Sequence, residues 1–184
     1  MSCGIDFGTS NSALAIATAA GVRLLPLEGD HGTLPTGMFF ESGQATPVFG
    51  RGAIDRDLEG IPGRFGRALK SVRGSAVMEE KPVITNTPRP FIDVISLFLA
   101  NMRAGYERSE GHAPEQVVVG RPVYFVDDNP AADRAAEDQL ERAAKAAGFR
   151  HVSFQYEPIA AAPTDGEALL PIQRFGQEPG AACG

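Results

Sequence analysis

Residues 116–155 leave the chain little freedom of architecture. Gln116-Val117-Val118-Val119-Gly120 is an apolar run of the kind a buried central strand shows, and Arg121-Pro122-Val123 ends it. Asp127-Asp128-Asn129-Pro130 opens a helix, with Asn129 as N-cap and Pro130 at the first helical position, where a missing N–H costs nothing. The helix, Ala131 to Ala147, is alanine-rich and stops at Gly148, and Val152 to Gln155 follows as a strand. Strand, helix and strand in this order form a βαβ unit. Its two strands should run parallel, with the right-handed crossover such units adopt.

The amino-terminal end adds strands of the other sense. Cys3, Ile5 and Phe7 alternate with small or polar residues, Gly8-Thr9-Ser10-Asn11-Ser12 breaks into a turn, and Ala13 to Thr18 resumes as a second strand. Ala19-Ala20-Gly21 turns the chain again and Val22 to Leu27 reads as a third strand, which makes an antiparallel meander with Pro26 near an edge. Met38-Phe39-Phe40 and Pro47-Val48-Phe49 flank a turn at Glu41-Ser42-Gly43, and Gly52 to Leu58 reads as a short helix. Phe91, Val94, Ile95, Phe98, Leu99, Met102 and Tyr106 lie on one apolar stripe of a longer helix, bracketed at its end by Gly105 and Gly111.

With 43% hydrophobic residues, 184 residues can bury one good core, so one domain, or one and part of another, is expected. A net charge of -6 leaves no basic block to neutralise a phosphate backbone, which removes nucleic acid as a partner. Cys3 and Cys183 lie near opposite ends, so neither a disulfide framework nor a cysteine metal site is implied, and a reduced cytosol is the natural compartment. No basic leader precedes the first strand, and no apolar run approaches the roughly 20 residues of a membrane span. A soluble cytoplasmic protein with no membrane partner is the expectation.

The first turn carries the most chemistry. Gly8, Thr9, Ser10, Asn11 and Ser12 gather backbone N–H groups and three hydroxyls at one strand end, which suits polyphosphate oxygens. Asp6 sits where the strand meets the turn, and a carboxylate beside phosphates would hold hydrated Mg²⁺ rather than touch the anion. The Walker pattern G-x-x-x-x-G-K-[ST] is absent. An ordinary hairpin with an exposed Asp has the same spacing. Between Arg64 and Gly74, three arginines and Lys70 make a positive patch on an acidic chain, as an anion site requires. By residue type alone Lys70 is a solvated lysine. Glu157 by itself is an acid at a helix N-terminus, where the dipole already favours it.

GIDFGTSNS resembles the first phosphate-binding motif of the 70-kDa heat-shock chaperone family, part of the wider actin and sugar-kinase ATPase superfamily. VVVGRPV, RAAKAAGF and YEPIAAA are similar, in order and spacing, to the family's Ile-Thr-Val-Pro-Ala strand, its alanine-rich helix and its Glu-Pro-Thr-Ala-Ala-Ala segment. The segment around Lys70 is similar to a Lys-Arg-Leu-Ile-Gly-like stretch, and Leu34-Pro35-Thr36 to a Thr-Pro-Ser step. Ser10 in place of the commoner Thr, Gly120-Arg121 before Pro122, and an insertion at 126–132 depart from the pattern and imply a divergent bacterial branch.

The resemblance implies an α/β fold: an actin-like (ribonuclease H-like) ATPase lobe, incomplete, whose mixed sheet contains the meander and the βαβ unit. Residues 1–162 would be the N-terminal lobe of the nucleotide-binding domain. Residues 163–184, with seven Pro or Gly in 22, would be an irregular tail. Implied cofactors are ATP and Mg²⁺. Thr9, Ser10 and Asn11, with Gly8 and Ser12, would bind the β- and γ-phosphates, and Asp6 would hold Mg²⁺ through water. Lys70 would stabilise charge on the γ-phosphate, and Glu157 would order the attacking water or the metal shell. Pro122 and Arg134 match the family's relay to its peptide-binding domain. Partners implied for full-length members are unfolded client proteins and co-chaperones, in protein folding and the stress response.

These residues hold no Asp-Gly-Gly-Gly-Thr-like second phosphate loop, which implies nucleotide binding with little or no hydrolysis by this chain alone. Two other readings compete: a non-catalytic interaction module keeping only the fold, and a small-molecule kinase of the same superfamily, against which YEPIAAA argues. A lone lobe would also expose an apolar face and self-associate.

Overall fold

The computed structural model describes residues 2–67, 83–84, 87–88, 90–121 and 129–156. The elements run β1 (Ser2–Phe7), β2 (Asn11–Thr18), β3 (Gly21–Leu24), β4 (Thr33–Pro35), β5 (Gly37–Glu41), β6 (Val48–Phe49), α1 (Gly50–Leu58) and β7 (Gly63–Arg67). They continue β8 (Val83–Ile84), β9 (Thr87–Pro88), α2 (Phe91–Glu110), β10 (Gln116–Arg121), α3 (Pro130–Ala146) and β11 (His151–Tyr156).

The main sheet has the order β11-β10-β1-β2-β3, with β4 also pairing β2. It is mixed. β1, β10 and β11 run parallel, with Ser2 opposite Gln116 and Val117 opposite Val152, while β2 is antiparallel to β1 and to β3. The meander and the βαβ unit expected from the sequence are thus both present in one sheet. β5 is the middle of a second, antiparallel sheet, β6-β5-β7, and β8 and β9 pair with each other.

Alternation along the strands decides which face is dry. Cys3, Ile5 and Phe7 of β1, Leu14 and Ile16 of β2, and Val117 and Val119 of β10 join one buried cluster with α2, α3 and the second sheet's Met38 and Phe40. The α2 stripe of Val94, Ile95, Phe98, Leu99, Met102 and Tyr106 is buried in that cluster, each side chain contributing about 1.5–3 kcal/mol of apolar burial. Phe98 stacks at 5.8 Å on Phe7, the last residue of β1, and at 6.2 Å on Phe49, so α2 ties the end of β1 to the second sheet.

Element ends follow local chemistry in the two longer helices. Asn129 Oδ1 accepts the N–H of Ala132 at 3.0 Å with Pro130 in the first turn, as the sequence predicts, and Gly148 takes φ 99° beyond the helix. Helix α2 runs through Gly105 and ends at Gly111, whose φ of 76° is the left-handed cap conformation. Gly105 lies inside the helix and packs closely on another segment, a Cβ there coming within 2.7 Å of Leu27 Cδ2, so it does not terminate α2. The third strand is shorter than expected, Gly21–Leu24 rather than Val22 to Leu27, because Leu25 turns inward to full burial. Gly63–Arg67, the start of the basic segment, is a strand that pairs with β5.

Candidate functional site

The loop Gly8–Ser10 leaves the sheet at the C-terminal end of β1. β10 and β11, parallel to β1, end at the same edge with Arg121 and Tyr156. In open α/β sheets this edge is where ligands are bound. The alternation that buries Phe7 turns Asp6 to the opposite, exposed face, one residue before the loop.

The loop is built by three constraints. Phe7 pairs with Ser12, which closes the hairpin. Gly8 packs so tightly that a Cβ would lie 2.2 Å from the backbone O of Asn11, a contact no other residue could make without moving the backbone. On its far side the loop is held by β4: Asn11 pairs with Pro35 and Ser12 with Leu34, and the N–H of Thr36 donates to the carbonyl of Ser10 at 2.9 Å. Thr9, Ser10 and Asn11 remain exposed.

Ser12 is different from its neighbours. It is 1% exposed, and its hydroxyl lies 2.8 Å from the Thr36 hydroxyl, itself in a residue 3% exposed. The structure therefore brings Asp6, Gly8, Thr9, Ser10 and Asn11 together at the surface and turns the fifth loop residue, Ser12, inward. Lys70 and Glu157 lie outside the described residues, as do Pro122 and residues 126–128 of the 126–132 stretch. Arg134 is exposed on α3.

The strand that precedes Lys70 in sequence ends close to the loop's support. Arg67, three residues before it, is paired with Gly37, the neighbour of Thr36. Tyr156, immediately before Glu157, ends β11 at the loop edge.

Three further residues act through partners that no local pattern in the sequence announces. Thr36 directly follows β4, and its bond to Ser12 is visible only in space. Glu28 accepts the backbone N–H groups of Arg51 at 2.9 Å and Gly52 at 3.3 Å and the Arg51 guanidinium at 2.9 Å, so it caps α1 from another segment. Arg121 is 5% exposed, gives Asp133 a two-pronged hydrogen bond at 2.9 and 3.1 Å, pairs with Glu137, and lies 5.2 Å from the ring of Tyr156. Strand parity was the available signal for Arg121, since it falls on the same face as Val117 and Val119. Asp133 and Glu137 are one helical turn apart on α3, which lets both reach one guanidinium.

Chemically, the loop offers exposed hydroxyls, a carboxamide and backbone amides beside one carboxylate. That donor set fits a polyanion with a hydrated divalent cation. Among the described residues no group of three or more His, Cys, Asp or Glu could hold a metal ion. A cation here would draw its remaining ligands from water and from the anion, as Mg²⁺ commonly does. Among the described residues no helix is long and apolar enough to cross a membrane.

No family model matches the chain. It is similar to the Chaperone protein HscA homolog of Rickettsia akari (strain Hartford), at 30% identity over 178 residues. It is also similar to those of Rickettsia prowazekii (strain Madrid E), at 27% over 172 residues, and Rickettsia rickettsii (strain Sheila Smith), at 26% over 181. Each similarity takes in 86% of this chain and 27% of the relative, so the chain spans about a quarter of the length of the curated relatives it matches. The mixed α/β sheet is consistent with an actin-like ATPase lobe, and the similarities support, at the family level, a relationship to the 70-kDa heat-shock chaperones.

Proposed function

We propose that this chain is the nucleotide-binding N-terminal lobe of a heat-shock-type chaperone ATPase, extending over residues 1–162, with 163–184 as an irregular tail. The observation that carries the reading is the loop Gly8–Asn11: exposed Thr9, Ser10 and Asn11 on a backbone fixed from both sides, at the sheet edge where β1, β10 and β11 all end. The loop binds the β- and γ-phosphates of ATP through its amides and hydroxyls, and Ser12 supports it from within. Asp6 holds Mg²⁺ through water. The ion, when bound, supplies charge neutralisation between phosphates.

Lys70 stabilises charge on the γ-phosphate, and Glu157 orders the water or the metal shell. The approach of Arg67 to the neighbour of Thr36, and of Tyr156 to the loop edge, supports their participation. Phosphoryl transfer is governed by positioning and electrostatics around the γ-phosphate, and these 184 residues carry one phosphate loop of the family's two. The chain alone therefore binds MgATP and hydrolyses it little or not at all. Client proteins and co-chaperones belong to the longer chaperone, in the cytoplasm.

Calorimetric titration with ATP tests this, with and without Mg²⁺ and with Lys70→Ala. Mg²⁺-dependent binding weakened about tenfold or more by the substitution is expected, the scale of losing a charge-assisted contact to phosphate. Absence of Mg²⁺-dependent binding by the unaltered chain would reject the reading in favour of an interaction module.

A further inference from the structure

We propose that Thr36 is a positioning residue for the loop: through its N–H on the Ser10 carbonyl and its hydroxyl on Ser12, it sets the conformation in which the loop meets its anion. This rests on the nucleotide reading above. The hairpin alone does not fix the loop. Its last pair with β1 is Phe7 with Ser12, which leaves Gly8, Thr9, Ser10 and Asn11 without ladder partners on that strand. β4 takes over at Asn11 and Ser12; Asn11 and Pro35 face each other as a non-hydrogen-bonded pair, and the Thr36 N–H makes the next backbone bond of that ladder, to the Ser10 carbonyl.

The hydroxyl pair makes the second attachment. Both residues are almost wholly buried, at 1% and 3% exposure, and their hydroxyls share one hydrogen bond at 2.8 Å. A buried hydroxyl that loses its partner is costly, so the pair resists separation and holds Thr36 against the base of the loop. Thr36 touches no exposed face and has no part in contacting phosphate. Its effect is to order the loop before the anion arrives, so that binding does not have to supply the ordering.

Gly37, next in sequence, pairs with Arg67, so one short segment joins the loop to the strand leading toward Lys70. Thr36 thus couples the phosphate loop to the second sheet.

The test compares Thr36→Val, which keeps shape and backbone N–H but loses the hydroxyl, with Thr36→Ser, which restores it, in the 184-residue chain. MgATP affinity is measured by titration well below each melting temperature, and amide hydrogen exchange is followed at Gly8–Ser12 and at Val117–Val119. Thr36→Ser should bind within about threefold of the parent and Thr36→Val about tenfold or more weaker. Loop amides should exchange about tenfold faster in Thr36→Val, in excess of any change at Val117–Val119, which a general loss of stability would move equally. Parent-like MgATP binding by folded Thr36→Val, or loop exchange changed no more than core exchange, overturns the inference. If the parent binds no MgATP, the nucleotide reading fails, and loop exchange alone decides for or against Thr36.

Discussion

Single residues at the loop are defined by space as much as by chemistry. Gly8 would be expected to let a ligand approach; in the fold it lets Asn11's own carbonyl approach, at 2.2 Å from where a Cβ would stand. Because the obstacle is backbone, Gly8→Ala should destabilise the protein by about 1–3 kcal/mol, read from its urea midpoint, the range for forcing atoms into a filled site. An unchanged midpoint would show that the loop can relax. Cys3 gives a pH prediction. Burial pushes its thiol up from 9.0 to about 12, against weaker opposing pulls from the Arg103 charge and the N-terminus. The folded state therefore keeps a proton that the unfolded chain releases near pH 9. Its contribution is whole below pH 9 and falls as pH rises from 9 toward 12. Unfolding midpoints of the parent should decline across that window more steeply than those of Cys3→Ala; parallel curves would refute the assignment. The Gly8-Thr9-Ser10-Asn11 cluster was legible as a turn because its signals are local. The inward turn of Ser12 was not, since its partner is 24 residues away.

Among the elements, α3 and α1 show the limits of local reading. α3 begins where Asn129 and Pro130 say it should, because a cap is a bond between residues three apart. α1 begins at Gly50, two residues earlier than Gly52, without a side-chain cap of its own; Glu28 supplies the acceptor from 23 residues away, beside a glycine whose Cβ would meet Leu34 Cδ1 at 2.3 Å. Glu28→Ala should cost about 1–2 kcal/mol, the scale of a lost N-cap with its favourable charge at the helix start. Thermal unfolding checks this, and a loss below the error of the melt would assign the helix start to packing alone. β10 was recognisable as a central strand from its valines. The destination of its arginine required α3, which brings Asp133 and Glu137 over the strand end.

At the level of the whole molecule, one outer strand of the main sheet, β3, leaves two apolar side chains in solvent. β3 is the terminal strand beside β2, and Val22 and Leu24, alternate residues on one face, are each 43% exposed. An open edge with apolar side chains is a template for pairing. The chain by itself is therefore expected to sediment as a concentration-dependent dimer or larger species. Val22→Lys with Leu24→Lys should shift it toward monomer, and a parent that stays monomeric at high concentration would sink the prediction. The amino-acid order by itself determined the periodicities: two parallel strands around α3, an antiparallel meander, the α2 stripe and the polar turn after β1, all of which are written within a few residues of one another. Only tertiary structure decided which loop residues face water, that Thr36 and Glu28 serve distant segments, and that β1 lies between β10 and β2 so that the turn stands beside the ends of two parallel strands. The physical reason is range: propensity, capping and alternation act between near neighbours, whereas the hydroxyl pair, the borrowed cap and the shared sheet edge exist only once the apolar faces have been driven together.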